Sequence, residues 1–225
     1  MKSRIIYLLL VTNLFLLVPA AWANYLKWRR IGEHVARKAL QLLGEKPKRS
    51  LVITNAGWAK VENESTQACL DGLSAATRAT LGRGNLLQIH SAENKPLWFF
   101  ICDQKLLRGA FLQIGSIANG RIQYELDAVE TISLNRLSKA APQWSDKMSA
   151  KVFGGNEFPI IMIANLHSIG APNELIRASL FHDHLCPGLT SGWLIASFLK
   201  KELPLRHKKE KYVCYSPGPW CKEDA

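Results

Sequence analysis

Apolar residues recur along this chain in two rhythms, and each predicts a type of element. From Trp28 to Leu43, residues Ile31, Val35, Ala39 and Leu43 repeat at the spacing of one helical face. Gly44 stops that pattern, and Pro47 follows shortly after. Leu51-Val52-Ile53 predicts a short buried strand. Asn63 to Thr66 offers capping residues for a helix running from Cys69 to about Leu81, with Gly82 and Gly84 ending it. Leu86 to His90, Pro96 to Cys102 and Leu107 to Gly115 predict strands separated by turn residues. The pattern from Arg121 to Lys151 is weaker and reads as helical around Ala128 to Ser138. Beyond Phe158 the chain predicts a strand over Pro159 to Ile163 and helices over Pro172 to Leu180 and Gly188 to Leu199. A further strand is predicted over Tyr212 to Tyr215. Strands mixed with helices in this order predict an α+β fold, with mixed sheets and packed helices.

The order of elements suggests internal duplication of one α+β unit. Cys69-Leu70-Asp71-Gly72-Leu73-Ser74-Ala75 parallels Cys186-Pro187-Gly188-Leu189-Thr190-Ser191-Gly192 with a one-residue offset. Each half would place an apolar strand before a cysteine at a helix start. The corresponding division is 24–150 for a degenerate first unit and 151–225 for the second.

Residues 1–23 stand apart. Lys2 and Arg4 precede an apolar run from Ile5 to Val18, and Pro19 and Ala21-Trp22-Ala23 lead to a cleavage point before Asn24. This is the layout of a secretory signal peptide, and the run is short for a membrane span. The mature chain is therefore expected to be exported, periplasmic or extracellular, without a stable membrane span.

The net charge is +11, with 48% hydrophobic and 21% charged residues, which fits a chain with a real core. Lys200, Lys201, Arg206, Lys208, Lys209 and Lys211 concentrate the charge. The cluster lacks interleaved stacking aromatics, and export argues against nucleic acid. A solvated helix end is the plain reading.

Five cysteines occur: Cys69, Cys102, Cys186, Cys214 and Cys221. The odd number leaves at least one unpaired within the chain. His182, His184 and Cys186 alternate at a spacing of two, which would put them on one face of an extended segment. Imidazole nitrogen with thiolate sulfur suits zinc, and also iron, nickel or copper. Cys186-Pro187-Gly188 enters an apolar helix, where amides and the helix dipole favour a thiolate. Asp183 can orient a ligating histidine. Two further readings stand beside the metal: a nucleophilic Cys186 with a histidine base, and residues with no special role. His34, His90, His167 and His207 read as ordinary histidines.

The run Phe181-His182-Asp183-His184-Leu185-Cys186-Pro187-Gly188-Leu189-Thr190-Ser191-Gly192-Trp193 resembles the signature of the formylmethanofuran dehydrogenase E-subunit family. That signature reads His-Gly-His-x-Cys-Pro-Gly before a small-residue helix. His182, His184, Cys186, Pro187, Gly188 and Gly192 match, whereas Asp183 replaces a glycine. The resemblance extends from about Phe158 to Ala225, and the first half resembles the degenerate leading region of exported members. It implies an α+β fold, paired domains (a homodimer or an intramolecular pseudo-dimer) and a transition metal, zinc foremost, near the Cys-Pro-Gly turn. It also implies further sequence after Ala225, as in a truncated or split member. The family's name comes from an operon and does not carry that enzyme's activity to an exported chain, for which metal handling or an accessory role is expected. Cys214 and Cys221 could close a small disulfide loop around Pro217-Gly218-Pro219, or one of them could complete the metal shell. Cys69 and Cys102, with no histidine beside them, are expected to be buried or paired.

Overall fold

The computed structural model describes residues 2–44, 47, 49–118, 120–213 and 215, with side chains from Ala21 onward. The first helix, α1 (Lys2–Leu43), carries the striped face into the core through Trp28, Ile31, Val35, Ala39 and Leu43. Gly44 follows at φ +74°, the left-handed conformation that ends many helices. Strand β1 (Ser50–Thr54) comes next, then the short hairpin β2 (Lys60–Val61) and β3 (Glu64–Ser65), and helix α2 (Cys69–Thr77). Strands β4 (Leu86–Gln88), β5 (Trp98–Asp103), β6 (Arg108–Ala118) and β7 (Arg121–Thr131) complete the sheet. Helices α3 (Leu134–Lys139), α4 (Ala141–Ser149), α5 (Glu157–Ser168), α6 (Asn173–Phe181) and α7 (Pro187–Glu202) follow.

Five strands form one sheet in the order β4-β1-β5-β6-β7, with β1 and β4 parallel and the other neighbours antiparallel. Alternate side chains point to opposite faces. Val52, Phe99, Ile101, Ala110 and Leu112 pack with α1 and α2, while Leu51, Ile53, Phe100, Cys102 and Phe111 pack with residues of α4, α5 and α6. Helices cover both faces, so β1 and β5 read as unbroken apolar runs rather than alternating ones. The layers confirm the α+β class. The second core joins Leu51 to Ile176 and so draws on residues from both sides of position 150.

On the first face α1 and α2 cross at two glycines. A Cβ on Gly32 would lie 2.1 Å from the Cys69 carbonyl oxygen, and one on Gly72 2.0 Å from that of Arg29. Only residues without a side chain allow the two backbones this close.

Several predicted elements differ. Helix α2 ends at Thr77, short of Gly82, with Arg78 left-handed at φ +64° and its N–H bonded to the Ser74 carbonyl. The Thr77 hydroxyl donates to the Leu73 carbonyl and that of Ser74 to the Ala79 carbonyl, tying the helix end to the turn that follows. No side chain from Asn63 to Thr66 caps α2, whose N-terminal flank is Ala68. Gly82 and Gly84 belong to a separate 3-10 turn, Leu81–Arg83, capped by the Thr80 hydroxyl. Ala128 to Thr131 lies in β7, where exposed Arg121, Gln123, Glu125 and Asp127 alternate with more buried Ile122, Tyr124 and Leu126. That period of two competes with a helical reading. The helix instead starts at Leu134, whose N–H donates to Asn165 Oδ1 on α5. Pro159 to Ile163 is helical: Pro159 sits in the first turn of α5, where its missing N–H has no intrahelical partner to lose. A short apolar run buried on a sheet does not by itself distinguish strand from helix. Tyr212, Val213 and Tyr215 are not in a strand, and after Thr131 the described residues form helices only. The strand–helix–strand order of the first half is therefore not repeated among the described residues of the second.

Candidate metal centre

The cluster occupies the corner between α6 and α7. Helix α6 closes with the His182 N–H on the Ala178 carbonyl, and His182 keeps right-handed helical torsions. Asp183 then turns left-handed at φ +73° and reverses the chain. Cys186 is extended at φ −123° and caps α7, and Pro187 occupies the first helical position. The segment is thus a bend, not the extended run that alternation predicts. The bend nevertheless gathers the same three side chains, because a left-handed residue between two helix ends folds the histidines back over the start of α7.

A nitrogen from each of His182 and His184 and the Cys186 sulfur all lie within 4.8 Å of one another. His182 Nε2 is 3.7 Å from Cys186 Sγ, and the two imidazole centroids are 4.7 Å apart. Two ligands on a tetrahedral zinc, at its usual bond lengths to nitrogen and sulfur, are separated by about 3.5 Å. The His182–Cys186 pair therefore has the spacing such an ion requires. The Asp183 carboxylate contacts His184 Nδ1, the kind of contact that orients a ligating imidazole. At Cys186 the Leu189 backbone N–H donates to Sγ at 3.3 Å, placing amide hydrogen against sulfur and favouring its negative form. All three residues are half-buried, neither sealed in the core nor fully solvated. The donor set and its spacing fit a transition-metal ion.

Neighbouring elements fix the corner in place. The His90 N–H donates to the Leu180 carbonyl at 2.8 Å, and the His90 ring stacks on Phe181 at 5.4 Å with a 9° interplanar angle. Trp58 meets His90 edge-on at 4.5 Å, and Phe158 from α5 tilts over His184 at 5.5 Å. His90, which reads as ordinary in the sequence, thus anchors the end of α6 to the loop after β4. No periodicity announces this role, since Trp58, His90, Phe158 and Phe181 come from four separate segments.

Among the other candidates, Cys69 and Cys102 are buried and free, on opposite faces of the sheet. Burial pushes both thiols well above their ordinary range. His167 is remote from the cluster and lines a surface hollow with Arg49, Asp103 and Arg108. Burial is the main cause that lowers its pKa, and its Nδ1 is buried without a hydrogen-bond partner. Cys214 and Cys221 lie outside the described residues.

Residues 181–225 match the family model FmdE, described as Molybdenum formylmethanofuran dehydrogenase operon. The match begins at Phe181, later than the Phe158 that the motif's surroundings suggested, and supports the resemblance read from the cluster. No curated protein matches the chain.

Proposed function

We propose that this chain is an exported metal-binding protein of the FmdE type, with zinc or a related transition metal held by His182, His184 and Cys186. The observation that carries the reading is the convergence of those three donors within 4.8 Å, at the head of the segment that matches the family. Its role would be metal handling or service to a metalloenzyme. Three protein donors are the number found at zinc sites that keep a position for an exchangeable ligand, whereas a fourth closes the shell. Either Cys214 or Cys221 is a candidate for that fourth sulfur. Binding needs Cys186 as thiolate and both imidazoles neutral, so affinity falls as the solution is acidified. The leader-like residues 1–23 support export.

Elemental analysis of the purified chain tests this directly. The expected result is one ion per chain, lost in His182→Ala and in Cys186→Ser. Metal-free protein after growth in zinc-replete medium, or variants that load like the parent, would overturn it. A second reading, Cys186 as a nucleophile, draws on its helix-start position and on His182 Nε2 at 3.7 Å. It predicts rapid thiol alkylation that persists after chelation, whereas a resident ion predicts that chelation accelerates labelling.

A further inference from the structure

The end of α7 and the segment after it combine two surfaces that the metal centre does not use. Helix α7 buries Leu189 and Gly192. At 100° per residue, Leu194 and Phe198 point away from those two and Ile195 flanks them; Leu194, Ile195 and Phe198 are 55%, 54% and 61% exposed. Leu203, Leu205, Tyr212 and Val213, which follow in the chain, are exposed as well. The Tyr212 hydroxyl donates to the Leu199 and Leu203 carbonyls, folding this segment back against the end of α7.

The same stretch of chain carries Lys200, Lys201, Arg206, Lys208, Lys209 and Lys211, all exposed. The only acids from residue 199 to 213 are Glu202 and Glu210. Glu202 pairs with Lys201, and Glu210 accepts the backbone N–H of Arg206 at 2.6 Å. The segment thus has a net charge of +4 beside bare aliphatic and aromatic side chains.

We infer that the Leu194–Ile195–Phe198 strip and the lysine-rich segment after α7 form a docking surface for an anionic lipid bilayer. Aliphatic and aromatic groups enter the boundary between headgroups and acyl chains while lysines meet lipid phosphates, so one contact satisfies both features. A nucleic acid would engage the cations and leave the apolar strip in water. A second copy of this chain would oppose two equally positive segments, which repel each other. The contact is peripheral: among the residues described with their side chains, no helix is long and apolar enough to cross a membrane.

Co-sedimentation of the full chain with vesicles tests the surface. One vesicle set is phosphatidylcholine alone; the other is an equal mixture with phosphatidylglycerol. The substituted variants keep Lys2, Arg4 and the apolar run from Ile5 to Val18, so their loss relative to the parent is separate from any uptake by that leader. The expected result is strong preference for the anionic vesicles, weakening steeply with salt. Each lysine near such a surface contributes about fivefold, so K208Q/K209Q should lower anionic partitioning about 25-fold. L194S/I195S/F198S should also reduce it by at least about tenfold, since each buried CH₂ contributes about 0.8 kcal/mol, close to fourfold. All these positions are solvent-facing, so unfolding curves should match the parent. Equal uptake by both vesicle types, or binding indifferent to the lysine substitutions, would overturn the inference. Binding to soluble polyanions that survives the triple serine change while vesicle binding does not exceed it would equally do so, by assigning the surface to an acidic macromolecule.

Discussion

The crossing of α1 and α2 allows a sharp test of what holds the first half of the chain together. In Gly72→Ala the new methyl would lie 2.0 Å from the Arg29 carbonyl oxygen and 2.5 Å from the Glu33 nitrogen, against 3.4–4 Å for an ordinary contact. Both clashing atoms are backbone, so no side chain can swing aside, and the helices must separate by roughly 1 Å. A gap of that size forfeits a quarter to a half of each dispersion contact it opens. The seam is lined by buried Trp28, Val35, Ala36, Leu70 and Leu73. Overpacking of this kind typically costs about 1–3 kcal/mol, and two rigid backbones place it near the upper end. Alanine recovers about 0.5–1 kcal/mol as a better helix former than glycine. The clash wins, leaving a net loss of about 2 kcal/mol. For a chain of this size that corresponds to a Tm lower by about 4–8 °C. Urea unfolding followed by circular dichroism measures it. Gly82→Ala is the control, because its Cβ would meet nothing within 4 Å. A Gly72→Ala protein within about 0.5 kcal/mol of the parent, or a Gly82→Ala protein equally weakened, would refute the packing argument. Metal loading of the folded variant should be unchanged, because the crossing lies on the sheet face opposite α5 and α6.

Four further outcomes follow from other parts of the structure. Cys69 and Cys102, buried and reduced, should resist thiol reagents in the folded chain and react once it is unfolded, as a mass-spectrometric count of labels would show. Their raised folded-state pKa values mean the folded chain keeps protons that the unfolded chain loses above about pH 8.5, so stability holds below that pH and falls above it, by about 1.4 kcal/mol per pH unit per thiol; Cys69→Ala with Cys102→Ala should flatten the fall in alkaline urea curves. His167 has the opposite sign: burial depresses its pKa, so the stability it contributes is present above about pH 6.5 and lost as pH falls, and His167→Gln should reduce the loss seen between neutral and mildly acidic urea curves. Asp183→Gly and Asp183→Val both remove the carboxylate that contacts His184 Nδ1, but only glycine takes the left-handed backbone at φ +73° without strain, so the valine variant, strained by about 1–2 kcal/mol, should bind metal about tenfold more weakly than the glycine variant in a chelator competition titration.

The sequence carries the centre of this molecule better than its edges. The α1 stripe, the apolar runs of β1 and β5, and the grouping of His182, His184 and Cys186 are all local, so spacing alone exposes them. Asp183 is instructive: it departs from the family's glycine, and the backbone there adopts the conformation glycine favours. The failures share a cause, which is tertiary context. Pro159 to Ile163 is apolar enough for either element and becomes helical where it packs on the sheet beside Leu51 and Phe100. The start of α3 is set by Asn165, thirty-one residues away, and the support of the corner between α6 and α7 by Trp58 and His90. No window along the chain contains such pairs.

The bond from His90 to Leu180 and the ring stack on Phe181 have a thermodynamic consequence. A ligand that binds only the folded chain stabilises whatever must be folded for its site to exist, by about 2.7 kcal/mol at one hundred times its dissociation constant. Here that includes the sheet, since the corner holding His182 hangs from the loop after β4. An ion bound at residues 182–186 would therefore stabilise strands laid down more than fifty residues earlier. Unfolding of those strands would in turn release the ion, making metal content a reading of the fold's integrity far from the ligands.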